Sequence, residues 1–287
     1  MTAVAADVEV RPAPIRPAAL LAVLAGAVAV PVLLVGLILL PVWAAVLCAL
    51  VAAGAVATWA WTRSTDVVRS LGGGSPADPE RHARLINVVD GLCLAAGVPA
   101  PALEVIDDPA ANALVAGRNE RDAVLLVTTG LLDATDRVGL EGVIAHQLVQ
   151  LRDGGLASAT LTVTTVALPV LLADRLLRRD GGGIGATLLG PATRLSSLRH
   201  LGTGGDRQTW ADLDAVALTR YPPGLLAALE ACRDVGTVVR TGTRSTAHLW
   251  LADPIATDER AGALAERNRP FVAPRSLDER IDILREL

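Results

Sequence analysis

The sequence predicts an α+β fold: a mainly helical domain with a small antiparallel sheet, attached to an N-terminal transmembrane helical hairpin. Three observations carry that expectation. From Pro17 to Thr62 the chain runs 46 residues without a charge. Three short β-like runs follow one another between Ala102 and Thr128. Stretches of helical periodicity flank those runs on both sides.

A single helix of 46 residues would be about 69 Å long, roughly twice what a bilayer core needs. Two spans fit better, at Ala18–Leu40 and Val42–Trp59, turning near Pro41, where proline breaks the helical ladder. Trp59 and Trp61 then fall at an interface, which suits their amphipathic rings. Arg11 and Arg16 precede the pair and Arg63 and Arg69 follow it, with nothing basic between. The positive-inside rule puts both ends of the hairpin in the cytoplasm. A cleaved signal peptide is the competing reading, but the apolar run is too long and a second span follows directly. The expected organisation is a cytoplasmic tail at 1–16, the hairpin at 17–62 and a folded domain at 63–287.

Within the domain, Asp78 and Pro79 predict the start of a helix reaching Gly97, with Leu85, Val89, Leu92 and Ala96 as its apolar stripe. The β-like runs are Ala102–Ile106, Ala113–Ala116 and Ala123–Thr128, the last two joined by the polar turn Gly117–Asp122. Asp136 caps a helix over Arg137–Arg152, another begins near Asp206, and Leu277–Leu287 closes the chain. Flexible loops are expected at Gly181–Gly185 and Gly236–Ser245, and chain breaks at Pro270 and Pro274. Leu156–Ala173 is apolar for 18 residues, yet it holds four threonines and Pro169. It reads equally as a spanning segment, with a return before Leu198, or as a membrane-dipping or core helix.

Composition narrows the function classes. A formal net charge of -4 offers no basic footprint for nucleic acid. All 26 basic residues are arginine, which fits codon bias better than function. Cys48, Cys93 and Cys232 are odd in number and far apart, which is neither a disulfide framework nor a zinc-finger spacing, and they read as buried thiols.

The chemistry concentrates in Val143-Ile144-Ala145-His146-Gln147-Leu148-Val149-Gln150. Positions i and i+4 share a helix face. Zinc proteases use that geometry in H-E-x-x-H, where two imidazoles hold the metal and the glutamate is general base. The runs Asn112-Ala113-Leu114-Val115-Ala116-Gly117, Val127-Thr128-Thr129-Gly130-Leu131-Leu132 and Leu140-Glu141-Gly142-Val143-Ile144-Ala145-His146 occur here in order. Arg207-Gln208-Thr209-Trp210-Ala211-Asp212-Leu213-Asp214-Ala215, Leu218–Leu225, Ala247-His248-Leu249 and Leu277-Asp278-Glu279-Arg280-Ile281 follow. In that order they resemble the HtpX-type, CAAX-prenyl-protease-like membrane zinc metallopeptidases, and the N-terminal hairpin fits too.

The resemblance implies a zincin-like metallopeptidase domain in a bacterial inner membrane, facing the cytoplasm. It implies that His146 keeps the first zinc ligand, with Gln147 at the general base, Gln150 at the second ligand and Gln208 at the third. Asp212 matches the carboxylate that orients a ligand imidazole, and His248 a position that approaches the cleft as a transition-state donor. Asn112, Ala113, Leu114, Val115 and Ala116 match the strand that pairs with an extended peptide. A lone helical histidine is more often packed than ligating, and glutamine is an ordinary helix residue; the signal is their coincidence with the displaced positions.

Glutamine is neutral and takes no proton from zinc-bound water, and its carbonyl is a weak zinc ligand. The expectation is therefore a pseudoprotease without a metal cofactor, in contact with the lipid bilayer and with an extended peptide or membrane protein in its cleft. The alternative is an active zinc endopeptidase of membrane protein quality control, its site completed by His200 or His248. A remnant without a partner is the third reading.

Overall fold

The structure, a computed structural model, describes residues 16–152, 154–167, 207–256, 273 and 275–287. Helices α1 (Pro17–Leu39) and α2 (Val42–Gly72) form the expected hairpin, and both are long and apolar enough to cross a membrane. Where they meet there is no room beside Gly36, since a Cβ there would lie 2.9 Å from the Cβ of Ala45. Large apolar side chains point outward instead, with Ile38 82% and Trp43 72% exposed. Cys48 also lies on this outer surface, against expectation, whereas Cys93 and Cys232 are buried.

The second helix does not stop at Trp59. It continues to Gly72 and ends at Gly73, whose left-handed φ of 68° is natural for glycine. Its last turns bury Ser64, Thr65 and Val68 against the domain, and Thr65 Oγ1 donates to Asp122 Oδ2 at 2.7 Å. The apolar segment long enough to cross a membrane and the segment packed on the domain are thus one helix.

The sheet contains β1 (Ser75–Pro76), β2 (Ala102–Ile106), β3 (Ala113–Ala116) and β4 (Val124–Thr128), in the order β1-β2-β4-β3. It is mixed rather than antiparallel, because β2 and β4 run parallel from Ala102↔Val124 to Ile106↔Thr128. Two reversals explain the correction. The chain turns once at Asp107–Asn112 and again at the β3–β4 hairpin, so β4 regains the direction of β2. Side chains alternate across β3. Ala113 and Val115 enter the larger core with Leu125 and Val127, and Leu114 and Ala116 enter a second core with Val68, Leu126, Ala159 and Val163.

The larger core is closed by α3 (Ala83–Ala96), α4 (Thr129–Ala134), α5 (Arg137–Arg152), α7 (Arg207–Thr219), α8 (Pro222–Val235) and α9 (Leu277–Arg285). Helix α3 opens five residues after Asp78, not at it, because the Asp78 side chain accepts from Glu80 N and Arg81 N and forms a turn of its own. Helix α5 has the expected bounds, and Asp136 Oδ1 caps it by accepting from Gly139 N at 2.7 Å. Helix α9 starts on a capping box between Ser276 and Glu279.

Helix α6 (Gly155–Thr162), continued by a π-turn at Val163–Ala167, packs on the far side of the sheet, where Thr160 Oγ1 accepts from Gly117 N. The start of the third apolar stretch is thus buried against α2 and β3. Its continuation to Leu198, the Gly181–Gly185 loop, His200 and Pro270 lie outside the described residues.

Candidate functional site

Helix α5 carries the site, and its position is set by a close crossing with α8. At Gly142 an added Cβ would fall 2.6 Å from Leu225 N and 2.7 Å from Leu225 Cα, so only glycine lets the helices approach this far. One turn on, His146, Gln147 and Gln150 are buried, between 0% and 2% exposed. Helix α7 presents Gln208 and Asp212 to them from positions i and i+4.

The structure brings His146, Gln208 and Asp212 together. His146 Nε2 lies 3.1 Å from Gln208 Oε1. His146 Nδ1 lies 2.8 Å from Asp212 Oδ1, close in distance but outside hydrogen-bond alignment. Both ring nitrogens therefore face oxygens. Gln208 Nε2 donates to Trp250 O, so its amide bridges the imidazole and a backbone carbonyl.

Asp212 has a stronger partner. Arg280 Nε donates to Asp212 Oδ2 at 2.7 Å and Nη2 to Oδ1 at 2.8 Å, while Nη1 reaches Leu251 O. Burial pushes the Asp212 carboxyl upward, yet Arg280 and then His146 outweigh it and hold it below the usual carboxylate range. The sequence reading missed the role of Arg280. Its signal lay in the spacing of α9, where Leu277, Arg280, Ile281 and Leu284 share one face and the arginine stands among apolar neighbours.

Gln147, which the resemblance sets at the general base, donates through Nε2 to Ala113 O at 3.4 Å, and its Oε1 is buried without a hydrogen bond. Gln150 Nε2 is likewise buried without one. The strand expected to receive a peptide is not an open edge. Ala113, Leu114, Val115 and Ala116 are fully buried, and the chain's own segment Trp250–Ala252 lies along β3. Asn112 is a strut within the fold. Its Nδ2 donates to Thr237 O and Ala252 O, and its Oδ1 accepts from Ala113 N and Ala252 N. His248 stands on the turn Ala247–Leu249, and its Nε2 lies 2.8 Å from Ala159 O on α6, which directs it to α6 rather than to Gln208. Among the described residues no three His, Cys, Asp or Glu side chains converge.

The family model described as Peptidase family M48 matches residues 79–230, which include His146, Gln147, Gln150, Gln208 and Asp212. A protease HtpX homolog of Dictyoglomus thermophilum is 34% identical over 210 residues, covering 69% of this chain and 69% of that protein. Those of Dictyoglomus turgidum and Thermoanaerobacter pseudethanolicus are 32% identical over 213 residues and 28% identical over 247 residues. They cover 70% and 79% of this chain, and 70% and 80% of their own lengths. No solved structure matches. With a matching family model across residues 79–230 and relatives of this coverage, the chain belongs to peptidase family M48, as an HtpX-type member.

Proposed function

We propose that this chain is a membrane-anchored pseudoprotease, a family M48 protein that binds extended peptide or protein segments without hydrolysing them. The observation that carries this reading is the use made of its glutamines. Gln147 and Gln208 stand where the family resemblance calls for carboxylates, and each spends its amide NH2 on a backbone carbonyl, Ala113 O and Trp250 O. A carboxylate is an acceptor only and makes neither bond.

The residues present do not fit a zinc ion. At the family's ligand positions His146 is the one strong donor, its Nε2 is aimed at Gln208 Oε1, and Asp212 is committed to Arg280. Zinc draws on imidazole, thiolate and carboxylate in tetrahedral array, and neutral amides are poor substitutes. Gln147 is neutral, so the residue at the family's general-base position cannot deprotonate an attacking water.

The hairpin anchors the protein in a bacterial inner membrane, with the 1–16 tail and the 63–287 domain on the cytoplasmic side. Arg16, Arg63 and Arg69 flanking the two apolar helices support that side. Incubating the detergent-purified chain with an unstructured substrate such as casein tests the reading. No cleavage is expected beyond that of a His146→Ala control. Turnover that the control abolishes contradicts the proposal.

A further inference from the structure

The segment Trp250–Ala252 behaves as an added strand. Leu251 N donates to Ala113 O at 2.7 Å, and Trp250 forms an antiparallel bridge with Leu114. Its side chains alternate as a strand's do, with Trp250 in the core that holds Leu114 and Leu251 in the core that holds Ala113. Site residues also hold its other main-chain groups. Trp250 O accepts from Gln208, Leu251 O from Arg280 and Ala252 O from Asn112, and Ala252 N donates back to Asn112. On the opposite side of the same pairing, Gln147 donates to Ala113 O.

We propose that Trp250–Ala252 is a built-in occupant of the peptide site, locked in place by the amide of Gln208, while Gln147 holds the β3 carbonyl with which the strap pairs. The ligand it stands in for is an extended apolar segment that adds antiparallel to β3. This rests on the peptide-binding reading above and supplies its ligand class and its regulation. Strand addition draws its affinity from main-chain bonds and its specificity from alternate side chains. The strap supplies both, a large aromatic side chain on one face and leucine on the other. An outside ligand must therefore displace a segment of its own kind. A carboxylate at position 208 would turn that amide donor into an acceptor facing Trp250 O, so the lock depends on glutamine there.

Hydrogen exchange of the full-length protein in detergent, read by mass spectrometry, tests the lock. In the unmodified chain the amides of Leu251 and Ala252 are expected to exchange as slowly as those of β4. In Gln208→Glu and in the uncharged Gln208→Met they are expected to exchange at least tenfold faster while β4 stays protected. Unprotected strap amides in the unmodified chain would overturn the proposal, and that measurement needs no variant to fold. Unchanged strap exchange in folded Gln208 variants would overturn it too. A labelled synthetic peptide reproducing Thr246–Asp253 separates the lock from the binding reading. Tighter binding to Gln208→Met than to the unmodified chain is expected from both. A strap that opens yet admits no peptide upholds the lock and counts against the peptide-binding function.

Discussion

Arg280 grips both carboxylate oxygens of Asp212, at 2.7 Å and 2.8 Å, across 68 residues of sequence, and both side chains are 2% exposed or less. The same guanidinium reaches Leu251 O. One arginine on the closing helix thus ties α7, and through it His146, to the strap beside β3.

That buried pair sets the first prediction. Removing one partner leaves an uncompensated charge, so Arg280→Ala should cost about 3–5 kcal/mol of stability. Replacing both, as Asp212→Asn with Arg280→Met, should cost less than Arg280→Ala alone. Denaturant midpoints in detergent measure this. A double variant less stable than the single would show that the pair is not the unit of stability.

Restoration is the second test. The triple change Gln147→Glu, Gln150→His and Gln208→Glu places the family's ligand types on one face of α5 and on α7. It should recover zinc binding, with activity lagging because Asp212 still answers to Arg280. Titration with zinc, followed by equilibrium dialysis, reads the outcome. A folded triple variant that takes up no zinc would show that these positions do not form one ancestral site.

Much of this frame was legible in the sequence. Helix α5 follows from Asp136 and a regular apolar repeat, and β2 and β3 from short β-rich runs beside turn residues. These are local signals. The direction of β4 against β2 was not legible, because it depends on two reversals whose geometry no single segment encodes. Nor was the strap. Trp250–Ala252 has no periodicity of its own, and its partners Asn112 and Ala113, Gln208 and Arg280 come from three distant places. The three glutamines were visible where the resemblance implies ligands and a general base. That two of them act as hydrogen-bond donors to backbone carbonyls emerges only when β3 is placed beside α5 and the strap beside α7.

Sidedness is the third test, and cysteine labelling reads it. Ser70, Arg121 and Val235 are exposed positions on three parts of the folded domain. Only Cys48 needs removal beforehand, since Cys93 and Cys232 are buried and burial holds both thiols above the usual range, Cys232 at about 12. Ser70→Cys, Arg121→Cys and Val235→Cys should all resist an impermeant reagent in intact cells and react once the membrane is opened. Labelling of all three in intact cells would put the domain outside.

The metal content of the purified chain tests the central claim most directly. After gentle detergent extraction without chelators, elemental analysis should find well below one zinc per chain, because His146 is the one strong donor retained at the family's ligand positions. Stoichiometric zinc that is lost in His146→Ala would contradict the account, since the glutamine site would then be a metal site after all.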